Sequence, residues 1–262
     1  MQNQNIIISG ITGYIGKNLS KNLDKFNLYI INRNNLDNLF KNINRENEFT
    51  LLHLATHFST DTSDKNLVYE SNIKFGEKIL KTTENLKIKK IIYTNTMYNF
   101  YKDDYLRNSY YSESKKIFSN ILINYCGSKN IILEEIYLDN TFGPNDERKK
   151  LIPIIIENIK KKETNPIKNP NNSINLMHIN DVVKRLIISI RSQEESQATS
   201  FISPHSYNVY SIYEFLKYFY VHREVNDELI IHTENNYLSN FPKIEYKGLK
   251  IKDNLIKLTK LL

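Results

Sequence analysis

Ile6-Ile7-Ile8-Ser9-Gly10-Ile11-Thr12-Gly13-Tyr14-Ile15-Gly16-Lys17 is the stretch whose reading decides the fold. The apolar run Ile6 to Ile8 predicts a strand buried on both faces, and a helix is expected from Lys17 to Leu23. Between them Gly10, Gly13 and Gly16 punctuate a turn. A glycine closing a strand permits a tight turn that a Cβ would oppose. A second lets the backbone approach a pyrophosphate, and a third lets the helix pack close to the strand. The phosphates then lie on the N–H groups at the positive end of the helix. The glycine triplet is weak alone, and the strand before it and the helix after it give it meaning. Gly10, Thr12, Gly13, Tyr14, Ile15 and Gly16 are the candidate cofactor contacts of this turn.

The rest of the chain narrows the class. Its 262 residues suit one α/β domain with a small appendage. The formal net charge of +7 suits an anionic ligand, but the lysines are scattered, which reads as solvated surface and not as a nucleic-acid face. The single Cys126 excludes an intrachain disulfide or a cysteine metal cage and fits a reducing cytoplasm. The six histidines show no paired spacing, so no metal site is expected. No apolar run approaches the roughly 20 residues that span a bilayer, so no membrane partner is expected. Met-Gln-Asn-Gln-Asn is uncharged and runs straight into the first strand, which predicts no signal peptide.

Leu28 to Ile31 is a second apolar strand, ending at Asn32-Arg33. A carboxylate at this strand end accepts from ribose hydroxyls in NAD-binding units, while an arginine accommodates a 2′-phosphate. Asn32 followed by Arg33 therefore favours NADP over NAD. Leu36 to Glu48 is short for a helix plus a full strand. Phe49 to Ala55 is the next buried strand, with His53 read as a core histidine without chemistry. Asn66 to Leu86 has helical periodicity, with Tyr69, Ile73 and Leu80 on one face. Lys90 to Thr96 is a strand ending in hydroxyl residues. In Tyr111-Ser112-Glu113-Ser114-Lys115 the phenol and the ammonium are four apart, on one face of a helix. A phenol with a pKa near 10 is a poor acid at neutral pH, and a neighbouring cation lowers that value.

In this order, the glycine turn, the hydroxyl-ended strand and Tyr-x-x-x-Lys resemble the extended short-chain dehydrogenase/reductases, the NAD-dependent epimerase/dehydratase family, from Asn5 to Lys217. The resemblance implies that Leu54, Ala55 and Thr56 underlie the cofactor, and that Asn72 has a structural or cofactor-supporting role. It makes Thr96 the hydroxyl on the substrate carbonyl, with Thr94 the runner-up. Tyr111 is implied as acid/base, with Lys115 holding the nicotinamide ribose. Asn140 in Asn-Thr-Phe-Gly-Pro, and Lys149 and Lys150 after it, correspond to contacts with the substrate diphosphate. Phe142 and Tyr137 depart from the family's usual tyrosine and arginine, and no counterpart of the adenine-contacting aspartate is found before Glu48. Ile174 to Val182 resembles a strand followed by a helix capped by Asn180 or Asp181. Tyr207-Asn208-Val209 with Ser211-Ile212-Tyr213-Glu214 resembles a helix entry, and the tail from Asn226 to Leu262 is shorter than the sugar-capping region of most sugar epimerases.

The expected architecture is α/β: a doubly wound parallel Rossmann sheet with a small C-terminal substrate-binding lobe. Residues 1–150 form mainly the dinucleotide-binding domain, with 174–205 returning to it, and 151–173 with 206–262 form the lobe. Asn-Thr … Tyr-Ser-x-Ser-Lys-Lys … Phe-Gly-Pro-x-Asp is most similar to the CDP-abequose synthase-type 4-ketoreductases of deoxysugar pathways. The expected activity is NADPH-dependent reduction of a nucleotide-linked 4-keto sugar for surface polysaccharide. The alternatives are a 4-epimerase with tightly bound NAD and a catalytically silent NADP-binding scaffold. Met97-Tyr98 after the candidate threonine stands where dehydratases carry Asp-Glu, which disfavours dehydration. The resemblance also implies a homodimer paired through the Tyr111 helix.

Overall fold

The computed structural model describes residues 4–36, 43–59, 61–148, 150–162, 167, 169–192, 199–201, 206–233 and 255. Five parallel strands, β1 (Asn5–Ser9), β2 (Asn27–Ile31), β3 (Glu48–His53), β4 (Lys87–Thr96) and β5 (Ile132–Leu138), stand in the order β2-β1-β3-β4-β5. They are rich in isoleucine, which fits a pleated surface, and Ile6, Ile7 and Ile8 are fully buried as a doubly covered strand requires. The chain runs from β1 to β2 on one side and returns to β3 on the other. This reversal is the switch point at whose carboxyl ends open α/β sheets bind ligands.

The helices are α1 (Tyr14–Ser20), α2 (Lys65–Tyr69), α3 (Phe75–Thr82), α4 (Asp104–Arg107), α5 (Tyr110–Lys129), α6 (Leu151–Lys161), α7 (Ile179–Arg191) and α8 (Val209–His222). α1 starts at Tyr14, earlier than the expected Lys17, because Gly13 already has extended cap geometry and its carbonyl accepts from the Lys17 N–H at 2.8 Å. The predicted helix over 66–86 is broken into α2 and α3 by one π turn, Glu70–Lys74. Ser71, Asn72 and Ile73 are all buried in that turn. Tyr69, Ile73 and Leu80 pack into one core with Ile79, Ile91, Tyr93, Phe118 and Leu122, as the periodicity predicts.

Among the described residues β2 has no strand outside it, in keeping with the shortness of 36–48; positions 37–42 of that segment lie outside the described residues. Two compact units divide the chain: Met1–Leu138 with Val183–Ser200, and Asp139–Val182 with Phe201–Tyr237, besides segments of the tail. The second unit holds β6 (Asn140–Phe142), β7 (Ser173–His178), β9 (Ser206–Asn208) and β10 (His232–Thr233), in the order β10-β9-β7-β6, while β8 (Thr199–Phe201) edges the first sheet beyond β5. Phe142, Ile152, Ile155, Leu176, Ile212 and Phe215 form the second core. The expected cap of α7 is corrected: the helix begins at Ile179, so Asn180 and Asp181 already lie in its first turn. His178 serves instead, its Nδ1 accepting from the Asn180 N–H at 3.3 Å. α8 starts where the sequence places it, with Asn208 accepting from the Ser211 N–H at 2.9 Å. No helix among the described residues is long and apolar enough to cross a membrane.

The first sheet carries one buried ionic cluster. Glu134 pairs with Lys90 at 2.7 Å and with Arg185 at 2.6 Å, and accepts from the Ser189 hydroxyl at 2.7 Å. Burial pushes the Glu134 carboxyl up, but Lys90, Ser189 and Arg185 outweigh it and hold the group below its ordinary value. The cluster ties α7 to β4 and β5. Replacing Glu134 by alanine leaves two cations uncompensated, and should cost about 3–5 kcal/mol in urea unfolding.

Candidate active site

The glycine turn fits a dinucleotide by what it lacks. Gly10 has φ +75°, and a Cβ there would stand 2.5 Å from the Ala55 backbone nitrogen. A Cβ on Gly16 would overlap the Gly10 carbonyl and Ile11, so the third glycine lets α1 press against the turn. No side chain caps α1 at Gly13, which suits the first turn of the helix to an anionic group. Thr12 and Gly13 are exposed there, and Tyr14 and Ile15 are half-buried.

Behind this turn, Ser9 joins β1 to the end of β3. Its Oγ lies 2.7 Å from His53 Nδ1 and accepts from the Ala55 N–H at 3.3 Å. The His53 ring is stacked on Tyr93 with centroids 5.8 Å apart and lies 5.2 Å from Phe118. Burial, then the nearby Lys115, pushes its pKa down to about 3, so at neutral pH it is the uncharged core histidine that the sequence predicts. Asn72, delivered inward by the π turn, holds the following loop. Its Oδ1 accepts from the His57 N–H at 2.7 Å and the Thr56 hydroxyl at 3.0 Å, while its Nδ2 donates to the His57 carbonyl at 3.1 Å and to Ser114 Oγ at 2.9 Å. One amide thus fixes Thr56-His57 against α5.

Ser109 caps α5, its hydroxyl accepting from the Ser112 N–H at 3.3 Å, and this sets Tyr111 in the first helical turn. Tyr111 is half-buried, with Phe58 edge-on at 4.9 Å and Tyr98 at 6.1 Å. Lys115, one turn on, is only 2% exposed. Its Nζ donates to the Thr94 carbonyl at 2.8 Å and sits 4.6 Å from the centre of the Tyr93 ring and 6.0 Å from that of Tyr111. Burial pushes the ammonium down to about 7, against the opposing pull of Glu135. Thr96 ends β4, and its Oγ1 accepts from the Tyr98 N–H at 3.3 Å, turning Tyr98 toward Tyr111. Thr94 and Thr96 are both buried, and Thr94 is engaged through its backbone carbonyl.

At the end of β2, Asn32 is exposed and its Oδ1 accepts from the Asn34 and Asn35 N–H groups at 2.8 and 3.1 Å, making a local turn. The Arg33 guanidinium donates to Ser71 Oγ, so the π turn also anchors this cation. In the second unit, the Asn140 amide donates to Asp139 Oδ1 at 3.1 Å. Lys150 stands at the entry of α6, pushed down to about 7 by burial and then by Arg148. Arg148 is itself paired with Asp146 at 2.6 Å. Lys149 lies outside the described residues. Sequence reasoning missed Phe58, Ser9 and the polar partners of β5, although two adjacent acids in an apolar strand are visible in the sequence. Among the described residues no cluster of His, Cys, Asp and Glu could hold a metal.

A Rossmann sheet with these residues at its carboxyl edge defines a class, and the chain belongs to the NAD dependent epimerase/dehydratase family, whose model matches residues 6–209. It stands thereby among enzymes of the NAD-dependent epimerase/dehydratase type. Among curated proteins it is similar to CDP-abequose synthase of Salmonella typhimurium, 26% identical over 61% of this chain and 60% of that enzyme's own length. It is also similar to CDP-abequose synthase of Yersinia pseudotuberculosis, 24% identical over 80% of this chain and 83% of that one. The fold matches UDP-N-acetylglucosamine 4-epimerase from Methanobrevibacter ruminantium M1 with UDP-N-acetylmuramic acid, with a TM-score of 0.74, 18% identity, and 99% and 98% of the two chains covered. It matches RMD from Pseudomonas aeruginosa complexed with NADPH at TM-score 0.71 and 14% identity, covering 98% of each chain. WbmF of Bordetella bronchiseptica with NAD+ and UDP follows at 0.73 and 17%, covering 98% of this chain and 92% of that one.

Burying Lys115 costs stability. Its folded value of about 7 lies below the unfolded value near 10.4, so the unfolded chain binds the extra proton between those limits and stability rises with pH across them. Lys115→Met should therefore melt higher than the wild type below pH 7, with the gap closing as the pH approaches 10. Parallel thermal melts from pH 6 to 10 measure it.

Proposed function

We propose that the protein reduces the keto group of a nucleotide-linked 4-keto deoxysugar, with NADPH as its cofactor. Three groups carry the reading together: a half-buried phenol (Tyr111), a buried ammonium (Lys115) one helical turn away, and a hydroxyl (Thr96) at the end of the adjoining strand. A reduced nicotinamide supplies the hydride when bound. Tyr111 delivers its phenolic proton to the carbonyl oxygen. Lys115 makes the resulting phenolate less costly by its charge. The Thr96 hydroxyl donates to the same oxygen as negative charge develops there. Phe58 and Tyr98 keep water from one side of the Tyr111 ring.

Gly10, Thr12, Gly13, Tyr14, Ile15 and Gly16, with Leu54, Ala55 and Thr56, are assigned to the dinucleotide, and Lys115 to its ribose hydroxyls. Arg33 is assigned to the 2′-phosphate, and the uncharged Asn32 beside it opposes no anion. In the second unit Asn140 and Lys150 are assigned to the substrate diphosphate. The likeness to two CDP-abequose synthases supports a deoxysugar substrate and the surface polysaccharide setting. The single buried Cys126 fits a reducing cytoplasm, and the family resemblance supports a homodimer paired through the Tyr111 helix.

Thermal-shift titrations with NADPH and NADH in parallel test the cofactor. NADPH at a hundredfold excess over its dissociation constant should stabilise the fold by about 2.7 kcal/mol, and Arg33→Ala should remove most of that gain while leaving the weaker NADH effect in place. Turnover is tested with NADPH and a panel of CDP-, dTDP-, GDP- and UDP-linked 4-keto-6-deoxyhexoses, followed by loss of absorbance at the nicotinamide band. Stabilisation by NADH alone, with interconversion of C4 epimers and no net oxidation, would make the protein an epimerase.

A further inference from the structure

Glu134 and Glu135 are adjacent on β5, so their side chains leave opposite faces of the sheet. Glu134 belongs to the ionic cluster with Lys90 and Arg185. Glu135, 5% exposed, faces α5 and has a different set of partners. Its Oε1 accepts from Asn95 Nδ2 at 3.1 Å and its Oε2 from the Tyr137 hydroxyl at 3.3 Å. The direction of the first bond is fixed by the next one: Asn95 Oδ1 meets the Thr96 N–H at 2.8 Å, and a backbone N–H can only donate. The amide must then turn its NH2 to Glu135. Both carboxylate oxygens are acceptors, as suits an ionised group. In the β4–β5 ladder Glu135 stands directly beside Tyr93, the ring over which the Lys115 ammonium lies at 4.6 Å.

The geometry points to Glu135 as a positioning residue: it is the buried counter-charge of Lys115 and, through Asn95, the brace of Thr96. This rests on the reading of Thr96, Tyr111 and Lys115 as the reacting set. An ammonium buried without a counter-charge gives up its proton. The groups facing Lys115 are Tyr111 on its own helix, Tyr93 and the Thr94 carbonyl on β4, His53 on β3 and Glu135 on β5. His53 is neutral, so the negative charge in this set comes from Glu135. Burial pushes Lys115 down and Glu135 pulls it back up. Without that pull the lysine is uncharged at neutral pH, and the phenol of Tyr111 loses its neighbouring cation.

The test reads the lysine itself. Side-chain 13Cε–15Nζ spectra of uniformly labelled protein are followed from pH 5 to 10, with the Lys115 signal identified by its loss in Lys115→Met. Surface lysines titrate near 10.4, far from it, and Lys150, also pushed down to about 7, is told apart because its signal persists in Lys115→Met. Glu135→Gln, which keeps shape and hydrogen-bonding atoms, should lower the Lys115 midpoint by about one unit or more. Glu135→Leu should do the same, and buried ionic sites often tolerate such apolar replacement, so the pair guards against one variant failing to fold. Glu135→Asp, which keeps the charge, should hold the midpoint near the wild-type value. An unmoved Lys115 midpoint in Glu135→Gln or Glu135→Leu would overturn the inference. No turnover enters this measurement: a lysine that shifts in a protein reducing no 4-keto nucleotide sugar upholds the counter-charge and sinks the reductase reading instead.

Discussion

A lysine ammonium enclosed by protein is the constraint on which the rest of this site depends. Lys115 can stay there only because a carbonyl accepts from it, an aromatic face lies beneath it and a carboxylate stands on the neighbouring strand. Each requirement fixes a piece of the fold. The carbonyl belongs to Thr94, two residues before the strand end that carries Thr96. The ring is Tyr93, locked between His53 and Phe118. Moving any strand of the β3–β4–β5 ladder by one residue would turn Tyr93, His53 and Glu135 to the other face and strand the cation. The register of the sheet and the chemistry of the helix are therefore one specification.

The second organising device is the π turn. By widening the helix for five residues it buries Ser71 and Asn72 side by side, and each holds a different part of the sheet's carboxyl edge. Ser71 takes the Arg33 guanidinium at the end of β2, and Asn72 takes the loop after β3 and the Ser114 hydroxyl on α5. The turn thus couples the end of β2, with Arg33, to α5, with Tyr111 and Lys115. That is a reason for the irregularity to persist against the poorer hydrogen bonding of a π turn.

The fold was legible because its signals are local. Three isoleucines before a glycine turn, a helical period with Ile73 and Leu80, and Tyr111 four residues before Lys115 each follow from backbone geometry over a few positions. What was not legible depends on pairing across the sheet. Nothing in the order of residues says that Asn95 meets Glu135, because that meeting requires β4 and β5 to be adjacent in one register. Ser9 and His53 are 44 positions apart and meet for the same reason. The cap of α7 was misplaced for a different cause: Asn180 and Asp181 have the better capping propensity, but β7 runs on through His178 and the helix begins immediately after it. The expected helix start at Lys17 failed because Gly13, a residue without a capping side chain, holds the cap position at a site suited to an anion.

Unsatisfied buried polarity borders the candidate chemistry. His53 Nε2 and the Tyr93 hydroxyl are buried without a hydrogen-bond partner among the described residues, and both border Lys115. An unpaired buried donor costs about 1–3 kcal/mol, and a buried ammonium costs more. On the other face of the same sheet, Glu134, Lys90 and Arg185 form an ion-paired cluster. The contrast separates two uses of buried polarity. The cluster on the α7 face closes its charges on one another and serves cohesion. The face toward α5 leaves its cation near pH 7 and its phenol half-exposed, which costs cohesion and yields a group whose charge can respond to what binds beside it. Such a site is stable only on a sheet whose strands are buried on both faces, and the isoleucine-rich β1 and the apolar β3 provide that support.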